Sequence, residues 1–269
     1  MTALREDITA LEWYVDAGVD EAIDDTPRNY FAVNAAPQSA PAPQESKTST
    51  PIQPARKPPS ISLVQTSLAE TIAQARRLAD AANTLEDLRD AVASFEGCTI
   101  KKTANKTVFG DGNPGAKLML IGEAPGADED REGIPFCGVS GKLLDKMLAA
   151  IGYDRRNYYI TNTVFWRPPG NRQPSTDELA ICRPFVEKSI ALVNPELLVL
   201  VGGVAAKALL ETEQSITRLR GKNYTYRTPY ENRDYCVTIT YHPSYLLRQP
   251  AAKRAAWQDL LAVRENLGS

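Results

Sequence analysis

Only one histidine, His242, occurs in 269 residues. Imidazole-rich metal sites are thereby excluded, and any imidazole chemistry must come from that single side chain. The four cysteines, Cys98, Cys137, Cys182 and Cys236, form no C-x-x-C pair. No disulfide framework is indicated, and a reducing cytoplasm is the expected compartment. There is no G-x-x-x-x-G-K-S/T phosphate loop, no G-x-S-x-G elbow and no H-E-x-x-H zinc motif. These absences set aside the usual signatures of nucleotide hydrolysis, acyl transfer and zinc proteolysis. The longest apolar run, Leu197 to Leu210, is broken by Gly202, Gly203 and Lys207, and is too short to span a bilayer. The acidic start, MTALREDITALEWY, lacks a long apolar core, so neither a secretory signal nor a membrane partner is expected.

The net charge of −2 is unevenly spread, with 5 basic and 9 acidic side chains in the first 60 residues and 26 and 24 beyond. A mildly basic body can focus positive potential in one groove, so nucleic-acid binding is permitted. Residues 1–33 read as an N-terminal helical segment, with Leu11, Tyr14, Val15 and Val19 at helical spacing. Such a helix offers a docking element to a protein partner. Residues 34–61 are rich in Pro, Ala and Ser and are expected to be a disordered linker. Residues 62–269 read as one α/β domain. A helical stretch runs to residue 95, restarting at Asn83-Thr84 with a capping residue. Strands are predicted at 117–121, 158–163, 197–201 and 237–240, and helices at 141–151, 176–193, 204–210 and 251–267. That alternation implies a mainly parallel sheet covered on both faces.

Four clusters fall at or just beyond predicted strand ends, where open α/β sheets bind ligands. The first is GEAPGADEDREGIPF, Gly122 to Phe136, whose Glu123, Asp128 and Glu129 are bases suited to activating water. The second is Pro135-Phe136-Cys137-Gly138, where an aromatic ring between proline and glycine can face a pocket and stack on a planar base. The third is Thr161-Asn162-Thr163, whose amide offers a donor and an acceptor to one edge of a base. The fourth is YHPSYLLR, Tyr241 to Arg248, with His242 followed by a candidate wedge of Tyr245, Leu246 and Leu247 and a phosphate-binding Arg248. Each has a plainer reading taken alone: a solvated loop, a packed ring, a turn asparagine, the buried face of a helix start.

Together, GEAPGADEDREGIPFCGVSGKLLDKML, YYITNTVFWRPPGNRQP, CRPFVEKSIALVNPELLVLVGGVAAKALL and YHPSYLLR closely resemble the family 4 uracil-DNA glycosylases, over about residues 98–267. The resemblance implies a three-layer α/β/α sandwich and hydrolysis of the N-glycosidic bond of uracil in DNA. It assigns catalysis to Glu123, Glu129 and His242 and uracil binding to Gly122, Ala124, Phe136 and Asn162. DNA contacts fall to Ser244, Tyr245, Leu246 and Arg248. The partner is uracil-containing DNA, acted on by a monomer. Most members of that family hold a 4Fe-4S cluster on four cysteines. Only Cys98 and Cys182 match those positions here; Lys101 stands at the second and Leu198 near the fourth. No cluster and no other metal is therefore expected. A related branch traps DNA covalently through a histidine in an inserted loop. This chain has no such insertion between Asn162 and Thr176, so free uracil and an abasic strand are the expected products.

Overall fold

Apolar runs of five residues, too short for helices and flanked by turn residues, become the centre of a sheet. The computed structural model describes residues 67–268. The expected N-terminal helical segment and proline-rich linker lie outside the described residues. The sheet contains β1 (Asp111–Gly112), β2 (Leu118–Gly122), β3 (Tyr158–Asn162), β4 (Leu197–Val201), β5 (Tyr224–Tyr226) and β6 (Tyr235–Thr240). Its order is β1-β3-β2-β4-β6-β5, parallel through the four central strands and antiparallel at both edges. Every residue of β2, β3 and β4 is buried, as a sheet covered on both faces requires.

Alternation along the strands supplies two cores. Leu118, Leu120, Ile160, Leu197 and Val199 pack with Leu144 and Leu148 of α4 (Val139–Ala149) and with Leu260 and Val263 of α9 (Lys253–Asn266). Met119, Ile121, Leu198 and Leu200 face the opposite way, into a core shared with α1 (Leu68–Ala81), α2 (Leu85–Ser94), α5 (Thr176–Val193) and α6 (Gly203–Leu210). The three-layer α/β/α arrangement follows. Each large apolar side chain withdrawn from water in these cores contributes about 2 kcal/mol.

The helix starts are written in the sequence. Ser67, Thr84 and Ser175 each accept the backbone N–H three residues on, and Glu70, Asp87 and Glu178 reciprocate. Buried Glu187 on α5 ties three elements together. Its carboxylate lies 2.9 Å from Arg76 of α1 and 2.8 Å from Arg183, and accepts from the Tyr226 hydroxyl of β5 at 3.2 Å. No helix among the described residues is long and apolar enough to cross a membrane.

Candidate active site

The parallel strands deliver their carboxyl ends to one edge. Gly122 ends β2 and pairs in register with Asn162, which ends β3. Two residues past the end of β6 comes His242. A cavity of about 510 Å³ opens there, and its lining includes Glu123, Ala124, Glu129, Phe136, Asn162, His242, Ser244, Tyr245 and Arg248. Strand order changes direction between β2 and β4, so this is the crevice where α/β sheets bind ligands.

The cavity floor is built by close approach. A Cβ on Gly122 would meet the Phe136 ring at 2.3 Å and Asn162 Oδ1 at 2.6 Å. Only glycine lets the ring and the amide lie against the end of β2, which explains Gly122 without giving it a ligand contact. Phe136 is 5 % exposed, with its ring centroid 5.7 Å from that of His242. Asn162 is 1 % exposed, yet neither its Oδ1 nor its Nδ2 has a hydrogen-bond partner among the described residues. Leaving such a buried group unmet costs about 1–3 kcal/mol, so the amide is set for something that enters the cavity.

His242 is held by its own turn. Its Nδ1 accepts from the Ser244 N–H at 3.2 Å and lies 2.8 Å from the Ser244 hydroxyl. With Nδ1 accepting, the neutral ring carries its proton on Nε2. Burial, with a smaller contribution from the Arg248 charge, lowers the His242 pKa to about 4, so the ring is neutral at physiological pH. Ser244, expected on DNA, thus commits its N–H and hydroxyl to orienting the imidazole.

The two candidate glutamates separate by environment. Glu129 lies on α3 (Ala127–Glu132), a short helix within the stretch read as an acidic loop. Its carboxylate accepts the Gly126 N–H at 3.0 Å and the Gly138 N–H at 2.9 Å, latching both ends of the loop. The Glu123 carboxylate makes no hydrogen bond or ion pair among the described residues, and burial raises its pKa. The Thr163 hydroxyl donates to the Glu123 carbonyl at 2.5 Å and fixes its backbone. Asp128, the third candidate base, also lines the cavity but is paired with Arg131 at 2.8 Å.

One expectation is corrected. Leu246 is fully buried and packs with Tyr241 and Ala256, so it is not a wedge in the DNA stack. α8 (Pro243–Arg248) begins at once after His242, and its rotation turns Leu246 inward while leaving Tyr245 and Leu247 about 40 % exposed. Val139, 66 % exposed on the cavity rim, was missed; its only signal was an apolar residue directly after Gly138 at a helix start.

The iron–sulfur cluster of the resembling family does not fit these residues. Cys98 and Cys182 are buried in one core, where the hydrogen bond that Cys182 donates to Cys98, together with burial, pushes the Cys182 thiol well above its usual pKa. Lys101 reaches back to the Ala93 carbonyl and the Glu96 carboxylate. Leu198 is fully buried in the same core as the two thiols. Cys236 packs against the core on the other face of the sheet, and half-buried Cys137 adjoins Phe136. Two thiols cannot supply four ligands. Protein purified anaerobically should carry no stoichiometric iron or sulfide; one cluster per chain by metal analysis would refute this.

Ring, amide, neutral imidazole and carboxylate thus line one crevice at the carboxyl ends of the parallel strands. Residues 109–261 match the uracil DNA glycosylase superfamily. The chain is 37 % identical over 188 residues to a type-4 uracil-DNA glycosylase of Sulfurisphaera tokodaii, covering 68 % of this chain and 84 % of that protein. It is 34 % identical over 188 residues to the type-4 uracil-DNA glycosylase of Archaeoglobus fulgidus, covering 68 % and 94 %. A type-5 uracil-DNA glycosylase of Thermus thermophilus is 37 % identical over 121 residues, covering 39 % and 54 %. The chain belongs to the uracil DNA glycosylase superfamily. Within it the kinship is with the type-4 enzymes, and the activity class is that of a DNA-repair glycosylase.

Proposed function

We propose that the protein removes uracil from DNA by hydrolysing its N-glycosidic bond, releasing free uracil and leaving an abasic site. The observation that carries this reading is the buried amide of Asn162, without a partner among the described residues, in the cavity it shares with Phe136 and His242. A pyrimidine edge with adjacent N–H and C=O would satisfy both its atoms. Within a duplex that edge is out of reach, so the nucleotide must be flipped into the cavity, at a cost of a few kcal/mol. Stacking on Phe136 offsets part of that cost.

In the reaction the C1′–N1 bond breaks and its electron pair stays on uracil. The Nε2–H of His242 donates to the oxygen where that charge develops. A water oxygen then forms the new bond to C1′, and Glu123 takes its proton. Glu123 is preferred to Glu129 because its carboxylate is uncommitted, whereas both oxygens of Glu129 hold backbone. Tyr245, Leu247 and Arg248 lie on the outer turn of α8, suited to the strand flanking the flipped nucleotide. The protein is read as a monomer in the cytoplasm, with the N-terminal segment available to a protein partner.

Incubation with uracil-containing oligonucleotides should yield free uracil and alkali-sensitive strands, with no adduct surviving a denaturing gel. Absence of scission on U:G, U:A and single-stranded uracil alike would end this reading. Competition with hypoxanthine and xanthine substrates in the same assay would reveal a broader base range.

A further inference from the structure

Phe136 carries a second, unexplained constraint. Its φ is 55°, in the left-handed region that non-glycine residues avoid. Such a conformation costs about 1–3 kcal/mol and persists only where its surroundings over-determine it. Glu129 grips the turn on one side, at Gly138. Arg155 grips it on the other. Its Nη2 donates to the Phe136 carbonyl at 2.9 Å and its Nη1 to the Pro135 carbonyl at 3.1 Å. The remaining donors are anchored, Nη1 to Asp111 of β1 at 2.9 Å and Nε to Asp145 of α4 at 3.1 Å. The Tyr158 hydroxyl of β3 also donates to Asp145, at 2.6 Å, and the guanidinium lies 5.6 Å from the Tyr158 ring centroid.

The helix behind the turn yields to the same carbonyl. A Cβ on Gly141 would lie 1.7 Å from Phe136 O. The carbonyl therefore enters the first turn of α4 through the gap that a glycine leaves, and the guanidinium meets it there. A planar fork with five fixed donors can serve two carbonyls and two carboxylates together; an ammonium cannot reproduce that geometry. Arg155 itself does not line the cavity.

We infer that Arg155 is a positioning residue that sets the plane of the Phe136 ring, and through it the reaction geometry and the preference for uracil over thymine. The chain of contact is short: guanidinium to carbonyl, carbonyl to a backbone locked at positive φ, and ring against Gly122, where the Asn162 amide also lies. This rests on Phe136 being the floor of the uracil pocket.

The test is a double-mutant cycle on the full chain with Arg155→Ala, Arg155→Lys and Phe136→Ala, assayed well below each variant's Tm. Displacing a reacting group by about 1 Å costs roughly 100-fold in rate, so Arg155→Ala should lose about that factor in kcat. KM for a long oligonucleotide should stay nearly constant, because strand contacts are untouched. Millimolar guanidinium should restore activity to Arg155→Ala but not to Phe136→Ala. Adding the arginine change to Phe136→Ala should cost almost nothing further. Arg155→Lys should retain stability better than activity and show a lower ratio of uracil to thymine release; it carries the cycle should the alanine variant not fold. Additive losses, or an unchanged kcat with an unchanged base preference, would overturn the inference. If the unaltered protein releases no uracil, the fault lies with the pocket reading instead.

Discussion

Replacing Glu123 with glutamine is expected to lower kcat by about 10²–10⁴-fold, the usual worth of a positioned base, with little change in affinity for uracil-containing DNA. Glutamine keeps the size of the side chain and removes only the proton acceptor. Because the Glu123 carboxylate holds no other described group, the variant's Tm should hardly move. Glu129→Gln provides the contrast. An amide can accept one of the two N–H bonds from Gly126 and Gly138 but not both. Losing a half-buried acceptor costs up to about 1–3 kcal/mol, so that variant should lose stability and activity together. Single-turnover uracil release beside thermal melts separates the two roles. An active Glu123→Gln with an inactive, stable Glu129→Gln would reverse the assignment.

His242→Ala should lose about 10²–10³-fold in kcat, the cost of removing one donor from a site where negative charge develops. pH profiles offer an independent check. Glu123 must be ionised to accept a proton, and burial raises its pKa above the usual carboxylate range. His242 stays neutral down to about pH 4. The acid limb of kcat/KM should therefore report Glu123, with no second limb from the imidazole near pH 6.5. An inflection there that vanishes in the alanine variant would show a charged His242 and sink the neutral-donor role. The same lowered pKa governs stability. Between about pH 6.5 and 4 the unfolded chain binds a proton at this residue that the folded protein refuses. The contribution is full above pH 6.5 and is lost as pH falls through that window. The full shift would correspond to about 3 kcal/mol, and less applies because the half-buried ring borders the open cavity. His242→Gln should flatten that part of the pH–stability curve.

The central strands were legible because sheets covered on both faces demand uninterrupted apolar runs, and LMLI, YYIT and LLVLV supply them. Thr84 announced its helix through the acidic residue three places on. The candidate site was legible as ingredients: Glu123 and His242 sat just past strands that a parallel sheet must align, Asn162 at the end of another, and Phe136 at the close of the loop that follows Glu123. Their division of labour was not. Nothing local reveals that Glu129 is spent on Gly126 and Gly138 while Glu123 is free, because the deciding partners depend on how a turn closes. The helical set of residues 127–132 was hidden by a run of charge without apolar period. Leu246 was misjudged because a six-residue helix gives too few turns to tell inside from outside. Arg155, 19 residues from the carbonyl it holds, left no sequence signal of its role. β1 and β5 were also missed, being two and three residues long.

Those two short strands bound the whole sheet. An open sheet is ordinarily a template on which further chains can be laid, because its border displays unmet N–H and C=O groups. Here the outermost rows are too brief to seat an incoming strand, and one of them ends in Gly112 at a φ of 101°, which no ordinary strand continues. The sheet of the described residues thus gives an incoming strand little to pair with at either border.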